Sequence, residues 1–322
     1  LRWFARFGGG IDATIDPCDT NRVTNGVHMF DMAPVEETPS AARAASRFRY
    51  EMIDAWVNPN QGGVTIRPEV NEIFSGLRER RERGTTTTQL IDEMDAAGIK
   101  KAVLCAGFGG YRALPWMEDA ISGHPDRFAG SLIVDPRTGM EAVRLLRTAV
   151  RESGVRLARV LALETQLPYN HAAYFPIYAA CVDLGIPIGV NVGLPGPRVP
   201  GACQHPLSID DVCYFFPELT VVMSHGGDPW ADVCVKLMDR WPNLNYMSSA
   251  YSPRRLPAEI VAYLNGRGSD RVMFASDYPI LDFDRCRSAI DEMPLVDETR
   301  RQKYAYDNAN RLFFTKGLVT NA

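Results

Sequence analysis

No pair of cysteines in this chain stands at CxxC spacing, although it carries seven of them, at positions 18, 105, 181, 203, 213, 234 and 286. An odd, scattered set excludes a disulfide framework and a zinc–thiolate centre, and fits reduced thiols in a cytoplasmic protein. Long hydrophobic runs are missing as well. None approaches the ~20 residues that a membrane span requires, and residues 1–31, with Gly8-Gly9-Gly10, hold no continuous apolar core of the kind a secretory signal needs. A dominant charge is also absent. The net charge is -4 and the pI about 5.8, so neither nucleic acid nor an anionic membrane is an expected partner, and a small-molecule substrate is. The mixed-sign stretch from Arg78 to Arg83 (RERRER) reads as a solvated helix face. There is no GxGxxG or P-loop at any strand end, which removes the nucleotide-binding open sheets. Histidine is scarce, five in 322 residues, and no metal cluster can be assembled from the spacing of His124, His171, His205 and His225.

What is present is a regular alternation. Residues 1–46 have no convincing period and are expected to be a disordered or non-native extension, with Met29 and Met32 as internal starts; residues 47–316 form one folded domain. Apolar or β-branched runs at Met52–Val57, Lys101–Cys105, Phe128–Asp135, Leu157–Leu163, Pro187–Val192, Thr220–Ser224, Leu244–Ser248 and Val272–Ser276 read as eight strands. Between them lie segments with helical spacing, such as Gly139–Glu152, where Met140, Val143, Leu146 and Val150 share a face. Asp284–Glu292 and Glu298–Phe313 close the pattern. Eight short strands alternating with helices, one unit per roughly 30–40 residues, predict an α/β fold, a (β/α)8 TIM barrel.

In such a barrel, the residues at the carboxyl ends of the strands share one mouth. The sequence therefore offers Trp56 and Asn58 from strand one, Asp135 from strand three, Glu164 and Gln166 from strand four, Asn191 from strand five, His225 from strand six, Tyr246 and Ser248 from strand seven, and Asp277 and Tyr278 from strand eight. The stretch Thr220–Pro229 (TVVMSHGGDP) is the most pointed of these, a buried strand that delivers one imidazole and stops in a Gly-Gly turn. His124, His171 and His205 read as helix-end or turn residues. Arg198 and the Arg254-Arg255 pair sit on predicted loops near the mouth, where an arginine can meet a carboxylate or a CoA phosphate.

Three collinear segments, HPDRFAGSLIVDP (His124–Pro136), FPELTVVMSHGGDPW (Phe216–Trp230) and DRVMFASDYPIL (Asp270–Leu281), with DNANRLF (Asp307–Phe313), resemble the amidohydrolase-related family of the amidohydrolase superfamily. That group includes aminocarboxymuconate semialdehyde decarboxylase and resorcylate decarboxylases. The resemblance implies a distorted barrel with a divalent metal held by an HxH pair ending strand one, a histidine ending strand five and an aspartate ending strand eight. It also implies a further strand-six histidine for proton transfer. Residue by residue, the HxH pair falls on Trp56 and Asn58 and the strand-five histidine on Asn191, while His225 and Asp277 match the pattern.

Three of four ligands are thus replaced, and an indole N–H can only donate. The sequence leads to the expectation of no tightly bound metal; any loosely held Zn2+ or Mn2+ would rest on Asp277 and His225. The branch of the family that begins with IDAW and lacks the strand-one histidines resembles hydrolases of aryl β-ketoacyl-CoA compounds. The expected function is cleavage of a C–C or C–O bond next to a carbonyl in a small aromatic substrate. In it His225 is general base or acid, Asp277 orients it, and Trp56, Asn58 and Asn191 hold an oxyanion, with Glu164, Tyr246, Tyr278 and Arg198 as further substrate contacts. A metal-dependent decarboxylase of carboxylated aromatics or semialdehydes and a non-catalytic binding barrel are the two alternatives. A homodimer is expected from the resemblance, with Trp230, Trp241 and Tyr263 suited to an apolar interface.

Overall fold

A computed structural model of the chain describes residues 48–58, 79, 83–107 and 114–315. The expected extension at 1–46, most of the RERRER stretch and the breaker after Asn58 lie outside the described residues. Eight parallel strands stand in sequence order in one sheet: β1 (Met52–Val57), β2 (Ile99–Ala106), β3 (Phe128–Ile133), β4 (Val155–Val160), β5 (Ile188–Asn191), β6 (Val221–Ser224), β7 (Leu244–Met247) and β8 (Val272–Met273). The chain is a single-domain TIM barrel, as the alternation predicts. Among the described residues no helix is long and apolar enough to cross a membrane.

The helices that flank the strands follow local signals. Helix α1 (Thr87–Ala96) opens with a capping box, in which the Gln89 amide donates to Thr86 Oγ1 and the Thr86 amide donates to Gln89 Oε1. Helices α2 (Leu114–Gly123), α3 (Met140–Glu152), α4 (Phe175–Leu184), α5 (Ser208–Phe215), α6 (Ala231–Arg240), α7 (Ala258–Asn265) and α8 (Phe283–Asp291) follow in turn. The expected single helix Glu298–Phe313 is instead three pieces: α9 (Glu298–Gln302), a π-helical turn (Lys303–Asp307) and α10 (Asn308–Phe313). The strand-four expectation also overshoots. The strand ends at Val160 and the chain turns into a helical segment, Ala162–Thr165, before Gln166 adopts a left-handed conformation at φ 55°.

Two apolar layers hold the barrel. The larger lies between strands and helices and contains Leu90, Met94, Leu146, Tyr178, Met238, Tyr246, Leu264, Phe274, Tyr278 and Tyr304, among others. The smaller fills the lumen with Ile53, Ala55, Trp56, Val103, Cys105, Leu157, Val222, Met247, Met273 and Ala275. Tyr263 is buried, so it does not supply the exposed apolar surface expected of it, and Trp241 is half-buried with its Nε1 donating to Asp210 Oδ1 at 2.6 Å. The six described cysteines are free and buried.

The ring closes through backbone bonds from Ala55 N to Phe274 O at 3.2 Å and from Asn58 N to Tyr278 O at 2.8 Å, reinforced by one carboxylate. Between β1 and β8 there is a single strand-like bridge, Val57 with Tyr278. Asp54, fully buried, accepts the amides of Trp56 and Ser276 on the same oxygen, each at 3.0 Å, and so ties the two seam strands together. Its other oxygen, Oδ2, has no partner. Burial pushes the Asp54 carboxyl up to about 7, against lowering by its bonds to Ser276 and Trp56.

An acid held above its unfolded value of about 3.9 binds more protons in the folded state. Its contribution to stability is therefore complete below pH ~4 and is lost as pH rises toward 7. Asp54→Asn, which keeps the accepting oxygen, is expected to remove that slope, at most about 1.4 kcal/mol per pH unit. Denaturant melts of both proteins across this window measure it; identical pH dependence would contradict the assignment.

Candidate active site

The turn after β6 has an unusual backbone. His225 lies at φ 69°, followed by Gly226 at 80° and Gly227 at 76°. A Cβ on Gly226 would come within 2.4 Å of the Tyr251 ring, and one on Gly227 within 2.8 Å of Cys234 Sγ. The glycines are thus required, and His225 bears strain of about 1–3 kcal/mol to stand where it does. Asp277, at φ 59°, bears the same kind. Both residues that the sequence places at the centre of the chemistry are held in conformations that side chains other than glycine rarely adopt.

Ser249, just past β7, fixes the imidazole. His225 Nδ1 lies 2.8 Å from Ser249 Oγ and 3.3 Å from Ser249 O, and the His225 amide donates to the same Oγ at 3.3 Å. The carbonyl can only accept, so Nδ1–H as donor satisfies the set and leaves the lone pair on Nε2. The ring stacks on Trp56, centroids 4.5 Å apart and planes 25° from parallel. Desolvation, and then the positive charge of Arg159, push His225 down to about 3, against a smaller raising by its hydrogen bond to Ser249. At neutral pH it is an uncharged base.

A chain of hydrogen bonds joins β1 to β8 across the mouth. Trp56 Nε1 donates to Asn58 Oδ1 at 2.9 Å, and Asn58 Nδ2 donates to Asp277 Oδ1 at 2.7 Å and to Tyr278 O at 3.0 Å. The expectation that Trp56 and Asn58 offer free donors to an oxyanion is therefore corrected, since these donors are engaged within the protein. Their work is to align Asp277, each bond polarising the next. Asn191 is buried in the lumen; its Oδ1 accepts from Ser224 Oγ at 3.1 Å, and its backbone carbonyl accepts from Tyr169 Oη at 2.7 Å.

Other expected contacts lie elsewhere. Tyr246 faces the helix layer, and Tyr278 stacks on Phe283 and donates its hydroxyl to Glu93 at 2.9 Å. Their side chains point outward because the strand alternation places Met247 and Asp277 inward instead. Glu164 is exposed on the helical segment beyond β4, and Arg198 is exposed on the loop after β5. Asp135 caps the turn Pro136–Thr138 and pairs with Arg137 at 2.7 Å. His171 and His205 each accept a backbone amide through Nδ1, at 3.2 Å.

The residue that sequence reasoning missed is Arg159. It projects inward from β4 beside Leu157, is 0% exposed, and lays its guanidinium over the Trp56 ring. Gly189, paired with it on β5, lies beside its stem, where a Cβ would stand in ordinary contact at 3.4 Å from Arg159 Cγ. Its only described hydrogen bond is a long one, 3.5 Å from Nη2 to Ser224 Oγ, and Nε and Nη1 have no partner. Burial lowers its affinity for the proton, to about 10, against raising by Cys105 and Asp277, so it remains a cation at neutral pH. The signal was a charge inside the apolar run LARVLAL, in phase with Val155 and Leu157.

The profile of the amidohydrolase family matches residues 53–315. The chain belongs to the amidohydrolase family. Among solved structures, this amidohydrolase is similar to an uncharacterized TIM-barrel protein of Bordetella bronchiseptica, with 24% identity over 81% of this chain and 98% of that one, and a TM-score of 0.69. It is also similar to a 5-carboxyvanillate decarboxylase of Novosphingobium aromaticivorans complexed with manganese (18% identity, 82% and 96% covered, TM-score 0.62). A third is a probable 2-pyrone-4,6-dicarboxylic acid hydrolase of Acinetobacter baumannii, at 17% identity and a TM-score of 0.58, over 82% of this chain and nearly all of that one. These likenesses establish the shared fold. A search of curated proteins gives no match.

A divalent metal does not fit the donors of this amidohydrolase's mouth. Among the described residues no three His, Cys, Asp or Glu side chains gather as a metal-holding group. Trp56 offers no lone pair, Asn58 Oδ1 is occupied by the indole, and a second cation, Arg159, already lies in the lumen.

A histidine held below its unfolded value of about 6.5 makes the folded state bind fewer protons. Its contribution is intact above pH ~6.5 and is lost as pH falls toward 3. His225→Gln is expected to lessen the acid sensitivity of unfolding between those limits. Equal slopes for the variant and the natural protein would show that His225 is not held neutral.

Proposed function

We propose that this chain is a hydrolase that cleaves a C–C or C–O bond beside a carbonyl in a carboxylated aromatic or lactone-like substrate, with His225 as general base and no step through a metal. The observation that carries the reading is the neutral, strained imidazole of His225, with Nδ1 engaged by Ser249 and a flat indole against its ring. The structural neighbours named for carboxyvanillate and pyrone dicarboxylate support the substrate class.

The steps follow from that nitrogen. Nε2 of His225 takes a proton from water as the water oxygen bonds to the carbonyl carbon. The bond from that carbon to its leaving carbon or oxygen then breaks, its electron pair passing to the leaving atom, which receives the proton back from His225. Asp277, aligned by Asn58, stabilises the transient imidazolium and polarises the approaching water. Trp56, fully buried, holds the imidazole in place by stacking on it.

A metal-dependent decarboxylase is the second reading, and the manganese-bound neighbour favours it. Decarboxylation requires a proton donor for the ring carbon. A histidine held deprotonated at neutral pH has no proton to give to that carbon, while its lone pair is open to a proton from water.

Assay of aryl β-ketoacyl-CoA compounds, lactones and carboxylated phenols in labelled water separates the readings. The expected result is label in a new carboxylate, with a loss of about 100-fold or more in His225→Ala, a comparable loss in Asp277→Asn and a smaller one in Asn58→Ala. Full activity of His225→Ala would end the proposal, and release of CO2 from the phenols without label would favour the second reading.

A further inference from the structure

A guanidinium buried in a barrel lumen needs more than Arg159 has been given. Taking one cation out of water is costly even after relaxation. Against this stand the cation–π contact with Trp56, the charge of Asp277, and a hydrogen bond to Ser224 at 3.5 Å, too long to be strong. The deficit remains. Two of the three nitrogens, Nε and Nη1, are buried without any partner. They flank Nη2, so each of the two forks of the group, Nε with Nη2 and Nη1 with Nη2, has one free arm and one weakly used arm. That is the geometry a carboxylate takes.

We propose that Arg159 is the substrate-binding residue for a carboxylate: one fork receives the two oxygens of an aromatic carboxylate. The proposal rests on the reading of this mouth as an active site and names its substrate class. Several features place the ligand. Arg159 and His225 both lie on the Trp56 ring, so a carboxylate held by the guanidinium lies close to the base. The nearby thiol of Cys105 is held protonated by burial and supplies no counter-charge. The carboxylate Oδ1 of Asp277 is directed to Asn58. An incoming anion would also cancel the charge that helps hold His225 deprotonated, strengthening the base once substrate is bound.

Calorimetric titration of the full chain with benzoate and with its neutral isostere benzamide tests this directly. The natural protein is expected to bind benzoate about tenfold or more tightly than benzamide. Arg159→Met should abolish that preference while its thermal midpoint stays equal or rises, because replacing an unpaired buried charge by an apolar side chain of similar length relieves a cost. Arg159→Lys should keep part of the preference. His225→Asn should keep all of it while losing turnover, so that failure of the anion site and failure of the proposed chemistry are distinguished. Equal binding of the two probes by the natural protein, or an unchanged preference in Arg159→Met, would overturn the proposal; the comparison within the natural protein decides it even if a variant does not fold.

Discussion

One positive charge inside a closed ring of strands sets the terms for the rest of the mouth. Arg159 lies among the uncharged Trp56, Leu157, Ser224 and Gly189, and the carboxylate of Asp277 is the charge that acts on it in return. A low-dielectric lumen amplifies its effect on every neighbour. It disfavours a divalent ion in the same space, it lowers the basicity of His225, and it gives Cys105 a nearby cation that burial still outweighs. A structural neighbour is complexed with manganese, whereas the lumen of this chain holds a guanidinium.

Around that charge the scaffold is arranged by strain and by a single hydrogen-bonded chain. The left-handed backbone at His225 and Asp277 turns each side chain off the end of its strand, and the Gly-Gly pair after His225 lets the chain leave without collision. Trp56, Asn58 and Asp277 then form a directional series, each donor spoken for. Such saturation rigidifies, and a fixed carboxylate and a fixed neutral imidazole are what proton transfer in a dry site requires. Asp54 serves the same end from below, because the seam it ties carries both Trp56 and Asp277 at its upper end.

Much of this was legible in the sequence, for identifiable reasons. Eight apolar runs with helical segments between them specify a barrel because parallel strands buried on both faces must be apolar throughout. His225 and Asp277 were visible since each ends such a run next to Gly or Pro. Strand four reads too long in the sequence because LARVLALET stays apolar past Val160, and a period of two cannot be told from a helical turn over so few residues. Arg159 is legible by its alternation with Leu157, as a charge on the inward side of an apolar run. Tyr246 and Tyr278 were placed at the mouth by proximity to strand ends, whereas alternation turns them to the helices. The engagement of Asn58 by its neighbours is a matter of side-chain geometry that no residue pattern carries.

Exclusion of a metal from this mouth by the guanidinium of Arg159 is tested by equilibrium dialysis of the purified chain against Mn2+ and Zn2+. No stoichiometric uptake is expected at micromolar free metal, in the natural protein and in His225→Asn alike. One equivalent of either ion held tightly, and released on substitution of Asp277, would contradict it.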